Sequence, residues 1–295
     1  MREAFINDKL RAQSLTQIQT INAILQEYQT GGYDLTLRQL YYQLVARGII
    51  ENSEKSYDRT GELVNKGRLA GLIDWDMITD RGRETITPTT WSGPAVILRQ
   101  AAKQFRLDLW EGQPNHVEVM VEKQALEGVL VPVCETWGVS FTANKGYSSS
   151  SIVYQTGKRL SGYCRRGKAA HVLYLGDHDP SGLDMSRDIK ERLDLFSGWN
   201  IRVNRLALNL DQVQTLNPPN NPAKITDSRY QEYKARYGDS SWELDAIDPR
   251  NLASLVSGAI QELIEDPGAW DATINVQTGM TDQLITIANQ LEGNA

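Results

Sequence analysis

The sequence predicts an α/β protein in two parts. A mostly helical, winged-helix-like domain spans residues 1–112, and a parallel-sheet domain with a C-terminal helical extension spans 113–295. Three observations predict this. Before position 110, apolar residues recur at helical spacing, i, i+3, i+4. EGQPN at 111–115 then reads as a linker. Beyond it, apolar strands alternate with helical stretches, the pattern that builds a parallel sheet.

Each element has its own signal. TQIQTINAILQEY (16–28) places apolar residues at 18, 21, 24 and 25, and Gly31–Gly32 ends that helix. Thr36 opens a second helix closed by Gly48, with an apolar set at 37, 40, 41, 44 and 45. Residues 57–74 predict a short helix broken at Gly67 and a turn into Trp75. Residues 80–94 read as turn and extended chain, and 95–108 as helix. A unit of this size and helix count matches winged or helix-turn-helix modules. In the second part, strands are expected at 116–122, 139–144, 171–176 and 201–208. Helices are expected at 123–138, 152–165, 182–193, 249–265 and 280–291, with a Pro/Asn-rich stretch over 209–241 turning helical near Tyr230.

With 295 residues, 40% hydrophobic and 23% charged, the chain can bury a full core. Its formal charge of -6 is unevenly spread. Residues 116–172 hold seven basic and four acidic side chains, whereas 173–295 hold ten and nineteen. Such asymmetry suits a protein that grips a polyanion on one face and keeps metal ligands on another; a merely solubilising acidic tail fits too. Cys134 and Cys164 form no CxxC pair, and three histidines are too few for a zinc finger, so both cysteines are expected as separate buried residues. The opening residues are not a signal peptide and no run is long enough to span a membrane, which points to a cytoplasmic protein.

The chemistry concentrates in LGDHDPSG (175–182). A hydrophobic strand ends there in Asp177 and Asp179, which alternation would point the same way. Glu122 ends an earlier strand at the same, carboxyl edge of the sheet, where open parallel sheets place their sites. Three carboxylates there can hold one or two Mg²⁺, which prefers hard oxygen ligands and phosphate partners. Capping of the next helix by Asp177–His178–Asp179 is the competing reading. The turn KGYSSSS (145–151) offers backbone N–H groups, hydroxyls including Ser148, and Lys145 as a phosphate cradle, but it is no P-loop and also suits a plain helix cap. On the second helix, Arg38 and Tyr42 share a face at i, i+4, with Tyr41 on the apolar stripe and Tyr42 the exposed partner of Arg38. A guanidinium beside a phenol can hold a phosphodiester oxygen and favour the phenolate; packing alone also explains two tyrosines in an amphipathic helix.

Taken in order, TLRQLYY (36–42), VEK (121–123), NKGY (144–147), LGDHDPSGLD (175–184) and WELDAI (242–247) resemble the A subunit of topoisomerase VI and its relatives that make meiotic double-strand breaks. The acidic motifs by themselves resemble the Toprim fold, a Rossmann-like sheet. The resemblance implies a homodimer that cuts double-stranded DNA by transesterification. Tyr42 would be the nucleophile forming a 5′-phosphotyrosyl link and Arg38 its positioning partner. Glu122, Asp177 and Asp179 would bind Mg²⁺, with Mn²⁺ able to substitute, and the tyrosine and metal of one break would come from different subunits. It also implies a separate ATPase B-like subunit for strand passage, since this chain has no ATPase signature, and association with the nucleoid. His178 stands where a small residue or proline is more usual.

Expected DNA contacts are Arg59, Lys66, Arg68, Arg81 and Arg83 in the first domain and Lys158, Arg159, Arg165, Arg166 and Lys168 in the second; solvated surface charge is the alternative for each. Trp75, Trp91, Trp110 and Trp242 are expected in core or interface, and Glu243 and Asp245 either near the metal edge or as capping and turn residues. Two other functions remain open: a metal-dependent nuclease using water, with Tyr42 structural, and a non-catalytic DNA-binding assembly protein.

Overall fold

The computed structural model describes residues 2–7, 10–79, 88–144 and 146–293. Arg81, Arg83 and Lys145 lie outside them.

Three helices build the first core. α1 (Ala12–Thr30), α2 (Leu37–Ala46) and α3 (Glu54–Leu69) surround Ile18, Ile21, Ile24, Leu25, Leu40 and Leu44 of the expected stripes, together with Val64. Thr36 starts α2 with a capping box: its hydroxyl accepts from the Gln39 N–H while the Gln39 side chain accepts from the Thr36 N–H. α3 does not break at Gly67. A Cβ there would stand 2.8 Å from Ile73 Cδ1, so the glycine serves close packing inside a continuous helix. α4 (Pro94–Gln104) lies instead against the C-terminal helix α11 (Pro267–Gly293).

The second part is a four-stranded parallel sheet of order β2-β1-β3-β4: β1 (Asn115–Val121), β2 (Ser140–Ala143), β3 (Ala169–Leu175) and β4 (Arg202–Ala207). β1 and β3 are covered on both faces, so side chains alternate between two cores. Val117, Val119, Val121, Leu173 and Leu175 pack with α5 (Glu127–Thr136) and α10 (Pro249–Gln261). Met120, Val172 and Tyr174 pack with α6 (Ser150–Arg165) and α7 (Pro180–Ser197). Each fully buried aliphatic side chain contributes about 1.5–3 kcal/mol. One charge is buried among them. Glu118, fully buried in β1, receives two hydrogen bonds from Arg159, at 2.8 and 2.6 Å.

Past β4 come α8 (Leu210–Leu216), the two-residue strands β5 (Asn221–Pro222) and β6 (Ser240–Ser241), and α9 (Tyr230–Tyr237). Cys134 and Cys164 are free and buried, as expected. Trp110 is buried, but Trp75 and Trp91 are exposed; Trp75 instead stacks edge-on with Phe5 under the Arg68 guanidinium. No described helix is long and apolar enough to cross a membrane.

Candidate active site

Register brings the acids together. Val121 of β1 pairs with Leu175 of β3, and the next residue, Glu122, donates its N–H to Leu175 O at 2.9 Å. Both chains leave the sheet there, and the Asp177 N–H donates to Glu122 Oε2 at 2.9 Å. β3 ends at Leu175, so strand alternation does not aim Asp177 and Asp179. The turn does. Asp177 Oδ1 accepts from the Leu244 N–H at 2.7 Å, whereas Asp179 caps α7, its Oδ1 accepting from the Gly182 N–H at 2.5 Å. Capping is therefore the observed role of Asp179 alone, and Asp177 faces the cluster.

Arg205 of β4 holds this turn in shape. Its guanidinium donates to the carbonyls of Gly176, Asp177, Gly182 and Leu208 and to Ser186 Oγ. His178 faces neither site nor solvent. It is buried among Tyr233, Tyr237 and Trp242, with Nδ1 2.9 Å from Tyr233 Oη. Its backbone exchanges hydrogen bonds with that of Trp242, at 2.8 and 3.0 Å, which draws residues 243–245 onto the acid edge.

Glu243 is the junction that results. Its Oε2 lies 2.6 Å from Arg38 Nη1 and 2.8 Å from Lys123 Nζ, and Oε1 accepts from Asn221 Nδ2 at 3.2 Å. Lys123 Nζ also stands 2.9 Å from Asp177 Oδ2 and 3.4 Å from Asp245 Oδ2. The same Asn221 donates to the Tyr42 hydroxyl at 3.1 Å, so its amide bridges Tyr42 and Glu243. Arg38 thus reaches the acids of its own chain directly at Glu243, and Tyr42 reaches the same carboxylate through Asn221. The expectation of an exposed Tyr42 is overturned: it is 3% exposed, packed with Tyr41 and Ala246. Segment 244–246 docks on α2 and covers a helix face that amphipathicity alone leaves to solvent.

The electrostatics follow from burial and crowding. Desolvation, then repulsion by Asp177, raises the Glu122 carboxyl above its usual range. Asp177 is raised too, by desolvation that Lys123 only partly offsets. Burial alone would raise Glu243, but Lys123 and Arg38 outweigh it and hold that carboxyl at about 2. The Tyr42 phenol is raised by burial first and by Glu243 second, against the lowering pull of Asn221 and Arg38. An open cleft of about 700 Å³ borders the cluster, lined by Arg38, Tyr57, Arg68, Glu122, Lys123 and Asp245 among others.

The donor set fits a hard cation. Glu122 and Asp177 are carboxylates brought side by side at the strand ends, and Asp245 Oδ1 is buried with no partner. As they stand, though, no group of three or more His, Cys, Asp or Glu side chains among the described residues is arranged to hold a metal ion. Lys123 occupies the centre of the acids instead.

Among the described residues, the expected DNA contacts do not all converge on this edge. Arg165 and Arg166 end α6, and Lys168 precedes β3, so all three lie at the opposite edge of the sheet, one strand length or roughly 20 Å away. Lys168 straps the linker, donating to the carbonyls of Trp110, Glu111 and Gln113. Arg166 lies over the Tyr163 ring, and Arg159 is the partner of Glu118. Arg59 and Lys66 line a separate groove between α1 and α3, while Arg68 faces the acid cleft. Ser148 is buried, its Oγ without a partner, and Ser149 caps α6. Asn221 and Arg205 have no local sequence signal as site residues, whereas Lys123, beside Glu122 in VEK, has one. Comparison with protein-family models, curated proteins and solved structures returns no match.

Proposed function

We propose that this chain is a metal-dependent DNA-cleaving protein similar to the A subunit of topoisomerase VI, acting on double-stranded DNA as a homodimer. On this reading the first domain is a winged-helix-like DNA-binding module and the sheet domain is of Toprim type. The observation that carries it is the placing of Arg38 on Glu243 at the acid edge, with Tyr42 joined to the same carboxylate through Asn221. A helix bearing a phenol and a guanidinium, set against carboxylates beside a polar cleft, is suited to phosphodiester chemistry.

Glu122 and Asp177, with Asp179 at the same edge, would hold Mg²⁺, or Mn²⁺ in its place. When bound, the ion supplies charge neutralisation at the phosphoryl and leaving oxygens. Arg38 borders the cleft and positions a phosphodiester oxygen. The Tyr42 oxygen attacks phosphorus, the bond from phosphorus to the 3′ oxygen breaks, and a 5′-phosphotyrosyl link remains while the 3′ oxygen takes a proton. Asn221 donates to the phenol oxygen and so favours its anion. Glu243, held at about 2, is a poor proton acceptor at neutral pH, so the phenol proton leaves to water once Tyr42 is uncovered. The reaction proposed is cleavage; strand passage would require the separate ATPase B-like subunit.

The burial of Tyr42 favours a second reading, a metal-dependent nuclease in which water attacks and Tyr42 is structural. One experiment separates them. The protein is incubated with duplex DNA and Mn²⁺, denatured, and scored for broken strands and for DNA covalently bound to protein, with Tyr42→Phe in parallel. Adducts that vanish in the variant support the first reading. Breaks without adducts in both proteins support the nuclease. Binding without breaks leaves the non-catalytic DNA-binding protein.

A further inference from the structure

Lys123 fills a cradle built for more charge than it carries. Its ammonium has three donors and spends them on Asp177, Glu243 and Asp245, at 2.9, 2.8 and 3.4 Å. The Asp245 side chain is only 2% exposed, and its Oδ1 has no hydrogen-bond partner. Glu122, the residue before Lys123, spends Oε2 on a backbone N–H, so a fourth carboxylate adjoins the same edge. Lys123, with Arg38 on Glu243, supplies two positive charges to four carboxylates, and a divalent cation, which takes six or more oxygens, would use the set better.

The spacing explains why the acids are not arranged for a metal as they stand. Carboxylates around an ammonium sit at hydrogen-bond distance, whereas Mg²⁺ draws its oxygens in to about 2.1 Å. The two occupants exclude one another. Lysine is also the residue able to leave: it is a point charge on a flexible four-carbon stem, and the cleft that Lys123 lines gives it somewhere to go.

We propose that Lys123 is the resident counter-ion of a divalent-cation site formed by Asp177, Glu243 and Asp245, and that Mg²⁺ or Mn²⁺ enters by displacing its ammonium. This rests on the metal part of the proposed function and adds two ligands, Glu243 and Asp245, to the expected acids. It also gives the cluster a defined state without metal, in which Glu243 remains free to tether Arg38 and Tyr42.

The test is Mn²⁺ binding to the full-length chain without DNA, with free Mn²⁺ followed by electron paramagnetic resonance. Lys123→Met should bind at least about ten-fold more tightly than the wild type, and Lys123→Arg, which keeps the charge, should not. Adding Asp245→Asn to Lys123→Met should reverse the gain. Equal or weaker binding by folded Lys123→Met overturns the proposal. Should that variant fail to fold, the wild type still decides: saturating Mn²⁺ should raise the acylation rate of Lys123, read by mass spectrometry against exposed Lys158, and an unchanged rate overturns the exchange. DNA cleavage by a wild type that shows no exchange sinks this inference alone. Exchange in a protein that cleaves nothing sinks only the cleavage reading.

Discussion

Replacing Glu243 with Gln removes the charge that joins α2 to the acid edge while keeping the side chain's shape. Its two ion pairs differ in worth. Arg38 is 46% exposed, so its pair with Glu243 is screened by water and contributes up to about 1 kcal/mol despite the 2.6 Å contact. Lys123 and Glu243 are 20% and 23% exposed, so their pair behaves as a partly buried charge-assisted hydrogen bond of about 1.5–3 kcal/mol. Lys123 keeps Asp177 and Asp245 in the variant, which holds the loss to the lower part of that range. Together Glu243→Gln should cost about 1.5–3 kcal/mol of unfolding free energy. Urea titrations at neutral pH would measure it, extended to double-mutant cycles with Arg38→Met and Lys123→Met. The coupling to Lys123 should exceed the coupling to Arg38, and added salt should erode the Arg38 coupling more. A larger coupling to Arg38, or none to Lys123, would refute the assignment of Glu243 as a buried junction.

Two further outcomes follow from packing and charge. A Cβ on Gly182 would stand 2.3 Å from the Asp177 carbonyl oxygen, so Gly182→Ala should destabilise the protein by about 1–3 kcal/mol and weaken Mn²⁺ binding; Gly162→Ala, in open space within α6, should do neither. Burial alone would raise the Glu118 carboxyl, but Arg159 and His116 outweigh it and hold it below its ordinary value. Its stabilising contribution is therefore complete above the unfolded carboxyl pKa of about 4.3 and is lost as pH falls through the lower folded value. Urea midpoints measured on acidification should show this loss in the wild type and a flatter profile in Glu118→Gln.

Local rules carried far in this chain. The capping box at Thr36 and Gln39, the apolar stripe of α1 and the alternation of β1, α5, β2, α6, β3 and α7 are written within a few residues of where they act. Glu122 and Asp177 at one edge follow from two strand ends in a parallel sheet. Reasoning by strand alternation failed for Asp179 because β3 stops at Leu175, after which turn geometry and a helix N-terminus direct the side chain. The amphipathic pattern of α2 misplaced Tyr42 because the segment that covers it lies some 200 residues along the chain.

Periodicity and capping act between near neighbours, and they dictate most of the elements, the parallel sheet and the pair of acids at its edge, although α11 begins at Pro267, well before the 280–291 stretch expected for it. Long-range contacts instead place Lys123 among those acids, tie Glu243 to Arg38 directly and to Tyr42 through Asn221, and turn the basic run 165–168 to the other edge. Those outcomes depend on strand order and on the His178–Trp242 backbone pair, contacts between residues far apart in sequence whose charges carry no local signal of the partner they will meet.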